Sequence, residues 1–491
     1  MTASGDRYQA TIPGDSVTVR NLEYFIQARD QLGRYGFWPG AVGSFSPSVR
    51  VENLVKSEPL PAGNAQSAYR LVSFPLIPDD PTPAALLEDD LGEYDNTVWR
   101  FFEPLGGGQF TEFDEIPAVS PGHAYWLLSS EADRTLDTGP GELLPVNGPL
   151  AIPLHAGWNY IGLPFNFALS PYNLYPKNAS GFYIFDYQGG WQDPAELLQP
   201  FAGYALSTFE GSADTLLIFP WSYGGRSPRP EPLAKTNLRN DYDWAIRIGA
   251  ESRGARDDYN FAGVSASATE AWDGYDVPEP PAIGDFVALS FPHPEWERYF
   301  SAYTCDIRGT IVTGDVWDIE VRANFTDEVR LRFSGMAGVP EDLEIWLIDV
   351  LTGETRNLRS DSSYVLAGRS GQAPRALKLL VGQANYVQET LAQLDLLPGE
   401  FALLPNFPNP FNPTTTIRYA LPAAAKVDLA IYNLLGQKIA TLLREALGEA
   451  GYHSVIWNGR DDAGQPVASG IYFLHLRAGA HRAVRKMILL K

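Results

Sequence analysis

The chain has 491 residues, 45% of them hydrophobic and 20% charged, with 25 Phe, 24 Tyr and 12 Trp; it is too long for one core and too apolar to be disordered. A formal net charge of −22 works against nucleic acid and anionic membrane surfaces as partners. The single cysteine, Cys305, excludes a disulfide framework and any Cys-x-x-Cys zinc site.

The 45 Gly and 39 Pro stand between short runs of Val, Ile, Tyr, Phe and Trp, the pattern of all-β folds with many turns and few helices. The expected fold is several β-sandwich-like units in tandem, closed by a C-terminal immunoglobulin-like sandwich. No apolar run reaches the roughly eighteen residues of a membrane-spanning helix, so no membrane insertion is expected. After Met1, "TASGDRYQATIPGDSVTVRNLEYFIQARD" has no charged and apolar leader pattern. Residues 1–55 read as the closing strands of an immunoglobulin or fibronectin-like domain, with the chain expected to start in mid-domain. "GDSV" at Gly14 to Val17 is similar to the opening motif of one esterase family but reads as a turn after Ile-Pro.

The next two units repeat each other, residues 56–148 and 149–222. "YRLVSFPL" from Tyr69 matches "WNYIGLPF" from Trp158, and "VWRFFEPLGGGQFTEF" matches "GFYIFDYQGGWQDP" around Gly-rich reversals. "SPGHAYWLL" from Ser120 matches "QPFAGYALS" from Gln199, keeping Pro121 with Pro200 and Tyr125 with Tyr204. The period of roughly 80 residues suits duplicated β-units rather than a solenoid. Trp99, Trp126, Trp158 and Trp191 support two readings, a duplicated aromatic core or a stacking platform for a polysaccharide. Short-stranded sheets draw most of their buried area from aromatics, which favours the core.

A Pro- and Arg-rich linker at 223–235 leads to a β-sandwich at 236–385, where "VWDIEVRANFTDEVRLRFSG" and "DLEIWLIDVLTGETRNL" alternate apolar and polar residues. Within it, "ESRGARDDYNFAGVSASATEAWDGYDVPEPP" places Asp257, Asp258, Asn260, Asp273 and Asp276 in turn-like sequence. Calcium takes such oxygen donors, although the spacing is not that of an EF-hand and solvated turn acids are the favoured reading. Asp257, Asp258, Asp273 and Asp276 are the metal candidates; no other cofactor is expected.

Catalytic patterns are scarce. There is no His-Glu-x-x-His, nucleophile elbow, Walker loop or dinucleotide fingerprint, and the six histidines show no metal-ligand spacing. Cys305 reads as a small buried residue. Paired carboxylates can meet in space without a sequence signature, but the chain is expected not to be an enzyme.

Residues 386–404 read as a second linker. Beyond it, "LLPNFPNPFNPTTTIRYALP" starts with prolines that favour an extended, semi-rigid lead-in, with Phe407 and Phe411 as anchors and asparagines as turn formers. Strands follow: Ile417, Tyr419 and Leu421 share a face, then Val427, Leu429 and Ile431, then His453, Val455 and Trp457. A closing pair, "IYFLHLRAG" and "AVRKMILLK", completes about seven strands, the count of an immunoglobulin-like sandwich.

This block resembles the C-terminal sorting domain of cargo of the type IX secretion system of Bacteroidota and relatives, and is also similar to the immunoglobulin-like domain of flagellar hook-capping proteins. The likeness covers 405–491. It rests on Pro408, Asn409, Pro410, Phe411, Asn412 and Pro413 in the lead-in, Gly470 and Tyr472 in the "ASG-Y" element, and Lys486 and Lys491 in the basic closing strand. The resemblance implies export through the periplasm and outer membrane, with the outer-membrane secretion translocon and the surface-attachment machinery as partners. It implies a secreted or cell-surface location. From Leu404 onward ten Lys and Arg face five Asp and Glu, so a basic module ends an acidic chain.

The function read from the sequence is therefore a secreted or surface multidomain β protein whose last domain is a sorting signal and whose body is a structural or binding module. Two alternatives stand beside it: the accessory region of a secreted hydrolase with its catalytic domain upstream, and a carbohydrate-binding or adhesive protein.

Overall fold

Apolar and aromatic runs between Gly and Pro turns give an almost wholly β architecture. The computed structural model describes all residues except 1, 5–6, 10–25, 30–34, 39–48, 53–56, 107–108, 221–232, 235–241, 297, 369, 372, 394–399, 449 and 491. Among the described residues there are two α-helices, α1 (Pro83–Leu91) and α2 (Ala384–Gln393). None is long and apolar enough to cross a membrane. The chain divides into two compact units, Met1–Asp243 with Arg247–Gly309, and Trp244–Ile246 with Thr310–Lys491.

The first unit begins with two hairpins, β1 (Thr2–Ser4) with β2 (Arg7–Gln9) and β3 (Ile26–Arg29) with β4 (Tyr35–Trp38). Most of the expected partial domain at 1–55, Gly14 to Val17 included, lies outside the described residues. The duplication follows. Its first copy contains β5 (Val49–Val51), β6 (Arg70–Ser73), β7 (Ile77–Pro78), β8 (Trp99–Gly106), β9 (Gln109–Glu112), β10 (Ala124–Ser129) and β11 (Gly141–Leu143). These form sheets ordered β6-β10-β8-β9 and β5-β11-β7.

The second copy contains β12 (Leu150–Leu154), β13 (Asn159–Gly162), β14 (Leu174–Pro176), β15 (Gly181–Tyr187), β16 (Trp191–Gln192), β17 (Gly203–Thr208) and β18 (Asp214–Ile218). Its orders, β13-β17-β15-β16 and β12-β18-β14, repeat the first strand for strand. A short parallel strand, β19 (Leu233–Ala234), adds to β15. In both copies a buried tyrosine fixes the turn before the fourth long-sheet strand: the Ser120 N–H donates to the Tyr125 hydroxyl at 2.9 Å and the Gln199 N–H to that of Tyr204 at 2.7 Å. The copies differ at α1, which is capped by the Thr82 hydroxyl accepting from the Ala85 N–H and buries Leu86, Leu87 and Leu91. The matching stretch of the second copy is a single 3-10 turn, Pro171–Asn173.

The two copies join through a reciprocal seam. Ser73 N–H donates to the Phe201 carbonyl at 2.8 Å, and Gly162, its counterpart, donates to the Gly122 carbonyl at 3.0 Å. Val72 bridges Ala202 and Ile161 bridges His123 in the same exchanged manner. This is the contact pattern of a two-fold interface, here within one chain. Glycine is required there: a Cβ on Gly162 would lie 2.1 Å from that of Ser73, and one on Gly203 would lie 2.5 Å from that of Ala124.

Next in the chain is β20 (Trp244–Ser252), whose residues from Arg247 onward belong to the first unit, and that unit continues with β21 (Ala255–Val264), β22 (Val287–Pro292), β23 (Ala302–Tyr303) and β24 (Cys305–Arg308). β21 runs parallel to β24, with Phe261 opposite Cys305. In the second unit β25 (Gly314–Ala323), β30 (Arg375–Gly382), β27 (Glu344–Asp349) and β28 (Glu354–Asn357) form consecutive antiparallel neighbours, and β26 (Glu328–Ser334) pairs with β29 (Ser363–Ala367). The amphipathic α2 follows, covering Ile348 and Leu380 with Val387, so part of the stretch read as a linker is a packed helix.

The last seven strands make an immunoglobulin-like sandwich. β31 (Ala402–Leu403), β32 (Thr415–Leu421) and β35 (Gly451–Trp457) form one sheet. β34 (Lys438–Gly448), β33 (Ala425–Asn433), β36 (Gly470–Ala478) and β37 (His481–Leu489) form the other. Ile417, Leu421, Val427, Leu429, Ile431, Leu474 and Met487 fill the space between, and every member of this core comes from residues 401–489. The sandwich rests on the β27–β28 hairpin: Arg418 pairs with Glu354, the Tyr452 hydroxyl donates to the Val350 carbonyl, and the Tyr452 ring lies over Gly353.

Candidate functional site

The proline-rich lead-in is a clasp rather than an extended spacer. Thr415 Oγ1 donates to the Pro408 carbonyl at 2.9 Å and accepts from Asn406 Nδ2 at 2.9 Å, which folds the segment back on β32. The Phe407–Pro408 and Asn409–Pro410 peptides are cis. Asn409 Oδ1 accepts from the Ile488 N–H at 2.9 Å, the Phe411 N–H donates to the Ile488 carbonyl at 3.0 Å, and the Leu490 N–H donates to the Phe411 carbonyl at 2.9 Å. Prolines have no N–H to give, so Asn406, Asn409 and the backbones of Phe407, which pairs with Thr416, and Phe411 supply most of the polar groups that fix this segment to β32 and β37.

Phe411 is the anchor: it is 2% exposed and its ring lies 5.5 Å from that of Trp457. Phe407, expected to anchor as well, is 67% exposed. Pro408, Pro410, Asn412 and Pro413 are exposed around the clasp. Tyr472 is buried beside Trp457, with its hydroxyl donating to the Ala468 carbonyl at 2.7 Å, which ties down the "ASG" turn. Gly470 opens β36 in free space, with nothing within 4 Å of the point where a Cβ would stand. Lys486 is exposed on β37, opposite Phe473. Lys491 lies outside the described residues. The lead-in, Tyr472 and Lys486 thus meet on one sandwich, held by Asn406, which the sequence marked only as a turn former, and by Thr415, which it did not single out. An Asn and a Thr flanking a proline cluster were the available signal.

The four tryptophans of the repeats separate. Trp99, Trp126 and Trp158 are buried. Trp191 is half-buried and donates its indole N–H to the Pro281 carbonyl at 2.9 Å. They are built into the repeat cores and into the seam, where Trp126 packs against Tyr69, Tyr187 and Trp191. A cavity of about 210 Å³ nevertheless opens beside the seam, lined by Trp158, Tyr160, Phe110, Tyr299 and Phe300.

Of the acidic candidates, Asp257 and Asp258 lie with Asn260 inside β21 rather than in a turn, because Ala255, Asp257, Tyr259 and Phe261 alternate into the core. Asp257 accepts from the Leu289 N–H at 2.7 Å, and burial pushes its carboxyl up to about 6 against those hydrogen bonds. Asp258 is half-exposed, 4.0 Å from Arg256. Asp273 and Asp276 do meet: the Asp273 N–H donates to Asp276 Oδ2 at 2.9 Å, while Asp276 Oδ1 accepts from the Ile307 N–H at 3.2 Å. Asp273 accepts from the Thr269 and Tyr275 N–H groups at 2.8 and 2.7 Å. These carboxylates close turns and strand ends. Among the described residues no three Asp, Glu, His or Cys side chains gather as one metal site.

A further buried cluster centres on His293, whose Nε2 lies 2.9 Å from Asp306 and whose Nδ1 lies 2.7 Å from Glu295. Its ring stacks on Trp296 at 3.7 Å. Burial lowers the His293 pKa, but the two carboxylates outweigh it and the net shift is upward. Arg308 binds the same Asp306 through two bonds, at 3.0 and 2.9 Å, so the group is an internal ion network. Cys305 is buried.

No curated protein matches the chain in sequence. Among solved structures it is similar to PorZ, described as an essential bacterial surface component of the type IX secretion system of Porphyromonas gingivalis. The identity is 14% and the TM-score 0.14, over 35% of this chain and 21% of that one. It is similar to dimeric latent PorU from Porphyromonas gingivalis at 11% identity and TM-score 0.18, over 81% of this chain and 30% of that one. A third likeness is to the BSP domain of a biofilm-associated protein, at 7% identity and TM-score 0.16, over 100% and 99%. The chain thus spans under a third of the PorZ and PorU chains, and at these scores none of the three defines a common fold. One family match has definite bounds: residues 412–480 match the FlgD Ig-like domain.

Proposed function

We propose that residues 405–491 are the sorting module of an exported multidomain β protein, read by the type IX outer-membrane translocon and by surface-attachment machinery. The body, in this proposal, is a non-enzymatic structural or binding module at the cell exterior. The observation that carries it is the clasp between the lead-in and β37 on a sandwich with its own core. A folded, self-contained unit that gathers the motif residues is what a recognition label requires. The FlgD Ig-like match over 412–480 supports the module's class. Deleting residues 408–491 in the producing bacterium is expected to leave the product in the periplasm; unchanged delivery to the surface or medium would overturn the proposal.

A second reading concerns the body. The aromatic cavity beside the seam, with the partly open rings of Phe110 and Tyr299, supports a saccharide-binding role. A glycan array probed with the full chain is expected to give hits that Phe110→Ala weakens, and an array blank for the unaltered chain would remove this reading.

A further inference from the structure

The outward face of the β34-β33-β36-β37 sheet carries a shallow groove of about 410 Å³. Its rim is cationic. Lys438 and Arg444 reach it from β34, Arg477 from β36 and Arg482 from β37, and all four are exposed. Among the described residues none of these four side chains makes a hydrogen bond or ion pair; Glu445 of β34 pairs instead with Lys426 of β33, at 3.5 Å. The one carboxylate in the lining, Asp428, accepts from the Glu445 N–H at 2.9 Å.

Two features separate this face from an ordinary solvated sheet. Arg477 faces Asp428 on β33 but Arg482 on β37, and the like-charge side of that row costs stability when nothing lies between the two guanidinium groups. The floor is mixed: Ala430 and Val484 flank His475, which packs on Tyr432 at 4.5 Å, with Leu443 alongside and Val484 55% exposed. Beside Lys438 the β33–β34 turn exposes Leu434 at 66% and Leu435 at 82%. Guanidinium forks aimed outward bind carboxylate or phosphate oxygens. The apolar spots at Ala430, Leu443 and Val484 and the neighbouring apolar turn call for side chains as well.

We propose that this groove is a docking surface for an acidic segment of a partner polypeptide, one that alternates carboxylates with apolar side chains. The biological role rests on the sorting reading, since it names the chemistry of whatever recognises the module. A phosphate-bearing lipid or glycan would satisfy the rim but leave the floor wet. An anionic membrane would also bring an extended negative field against a chain of net charge −22, whereas a short peptide is subject mainly to charges within about 8 Å.

The test is fluorescence anisotropy of a short labelled peptide alternating glutamate and leucine, titrated with the full chain. Inorganic phosphate and phosphatidylglycerol vesicles serve as competing probes. Saturable peptide binding that weakens as salt rises is expected, with a loss of about tenfold or more in Arg482→Glu. That variant places a carboxylate opposite Arg477, so it should melt no lower than the unaltered chain, which separates lost binding from lost folding. A peptide with serine in place of leucine should bind more weakly. Absence of saturable peptide binding, binding by Arg482→Glu and by the Lys438→Glu/Arg444→Glu double variant as tight as that of the unaltered chain, or preference for vesicles over peptide would each overturn the proposal. The measurement is independent of export: a chain delivered without residues 408–491 would sink the sorting reading and leave the groove's binding result standing.

Discussion

Phe407 and Phe411 sit four residues apart in the same proline-rich segment, yet one is 67% exposed and the other 2%. Phe411→Ala is expected to cost about 3–5 kcal/mol in urea unfolding of the second unit, as for a buried aromatic removed from a core. Phe407→Ala should stay within about 0.5 kcal/mol. Asp257 gives a pH-dependent case. Burial raises its carboxyl to about 6 in the folded chain, above the roughly 3.9 of an unfolded aspartate. Between those values the unfolded state gives up the proton first, so the folded state loses stability as pH rises through them, on the order of 2–3 kcal/mol in all. Asp257→Asn is therefore expected to raise the melting temperature at pH 8 and leave it nearly unchanged at pH 4. At this scale the sequence identified residue types better than their surroundings. An acidic run suggested turns and a cation, and only the alternation of Ala255, Tyr259 and Phe261 around Asp257 marks it as a strand.

The duplicated element was legible because its markers are chemical: Pro121 with Pro200, Tyr125 with Tyr204, and glycine reversals at matching offsets. Strand order and both tyrosine-fixed turns follow them. What pattern reading did not anticipate was the exchange of backbone hydrogen bonds between copies, because nothing local in "SFP" or "GLP" records what lies across the seam. Gly162→Val is expected to destabilise the first unit by about 2 kcal/mol or more through the clash with Ser73. Gly470→Ala, in open space, should be near neutral or slightly stabilising by restricting the unfolded chain. Chemical denaturation of both variants, followed by tryptophan fluorescence, makes the comparison. The helices were harder to read. Pro83–Leu91 is nine residues in Pro-flanked sequence, and Ala384–Gln393 is recognisable only once Val387 has a partner in Ile348.

At the scale of the molecule, the all-β architecture and the closing immunoglobulin-like sandwich were both readable from turn density and alternation. The lead-in's path was not, because prolines specify backbone angles and missing donors but not the distant backbone group that an asparagine will find. Within the second unit the sandwich is attached to the β27–β28 hairpin through the half-buried Arg418–Glu354 pair. Burial alone would raise the Glu354 pKa, but Arg418 and Arg356 hold it below the usual carboxylate range. A double-mutant cycle with Arg418→Ala and Glu354→Ala should give a coupling of about 1 kcal/mol in thermal unfolding; additivity would mean that the contact contributes nothing.

The seam between the repeats also decides which halves can associate. Ser73 and Ala124 of the first copy carry side-chain carbons where their counterparts, Gly162 and Gly203, carry none, and each pair faces across the junction. Two first copies brought together in this geometry would collide at both positions, so the surface accepts its unlike sibling and rejects its twin. Steric divergence after duplication has thereby given the polypeptide a guard against joining the first copies of neighbouring chains to each other, a pairing that tandem repeats of identical sequence leave open.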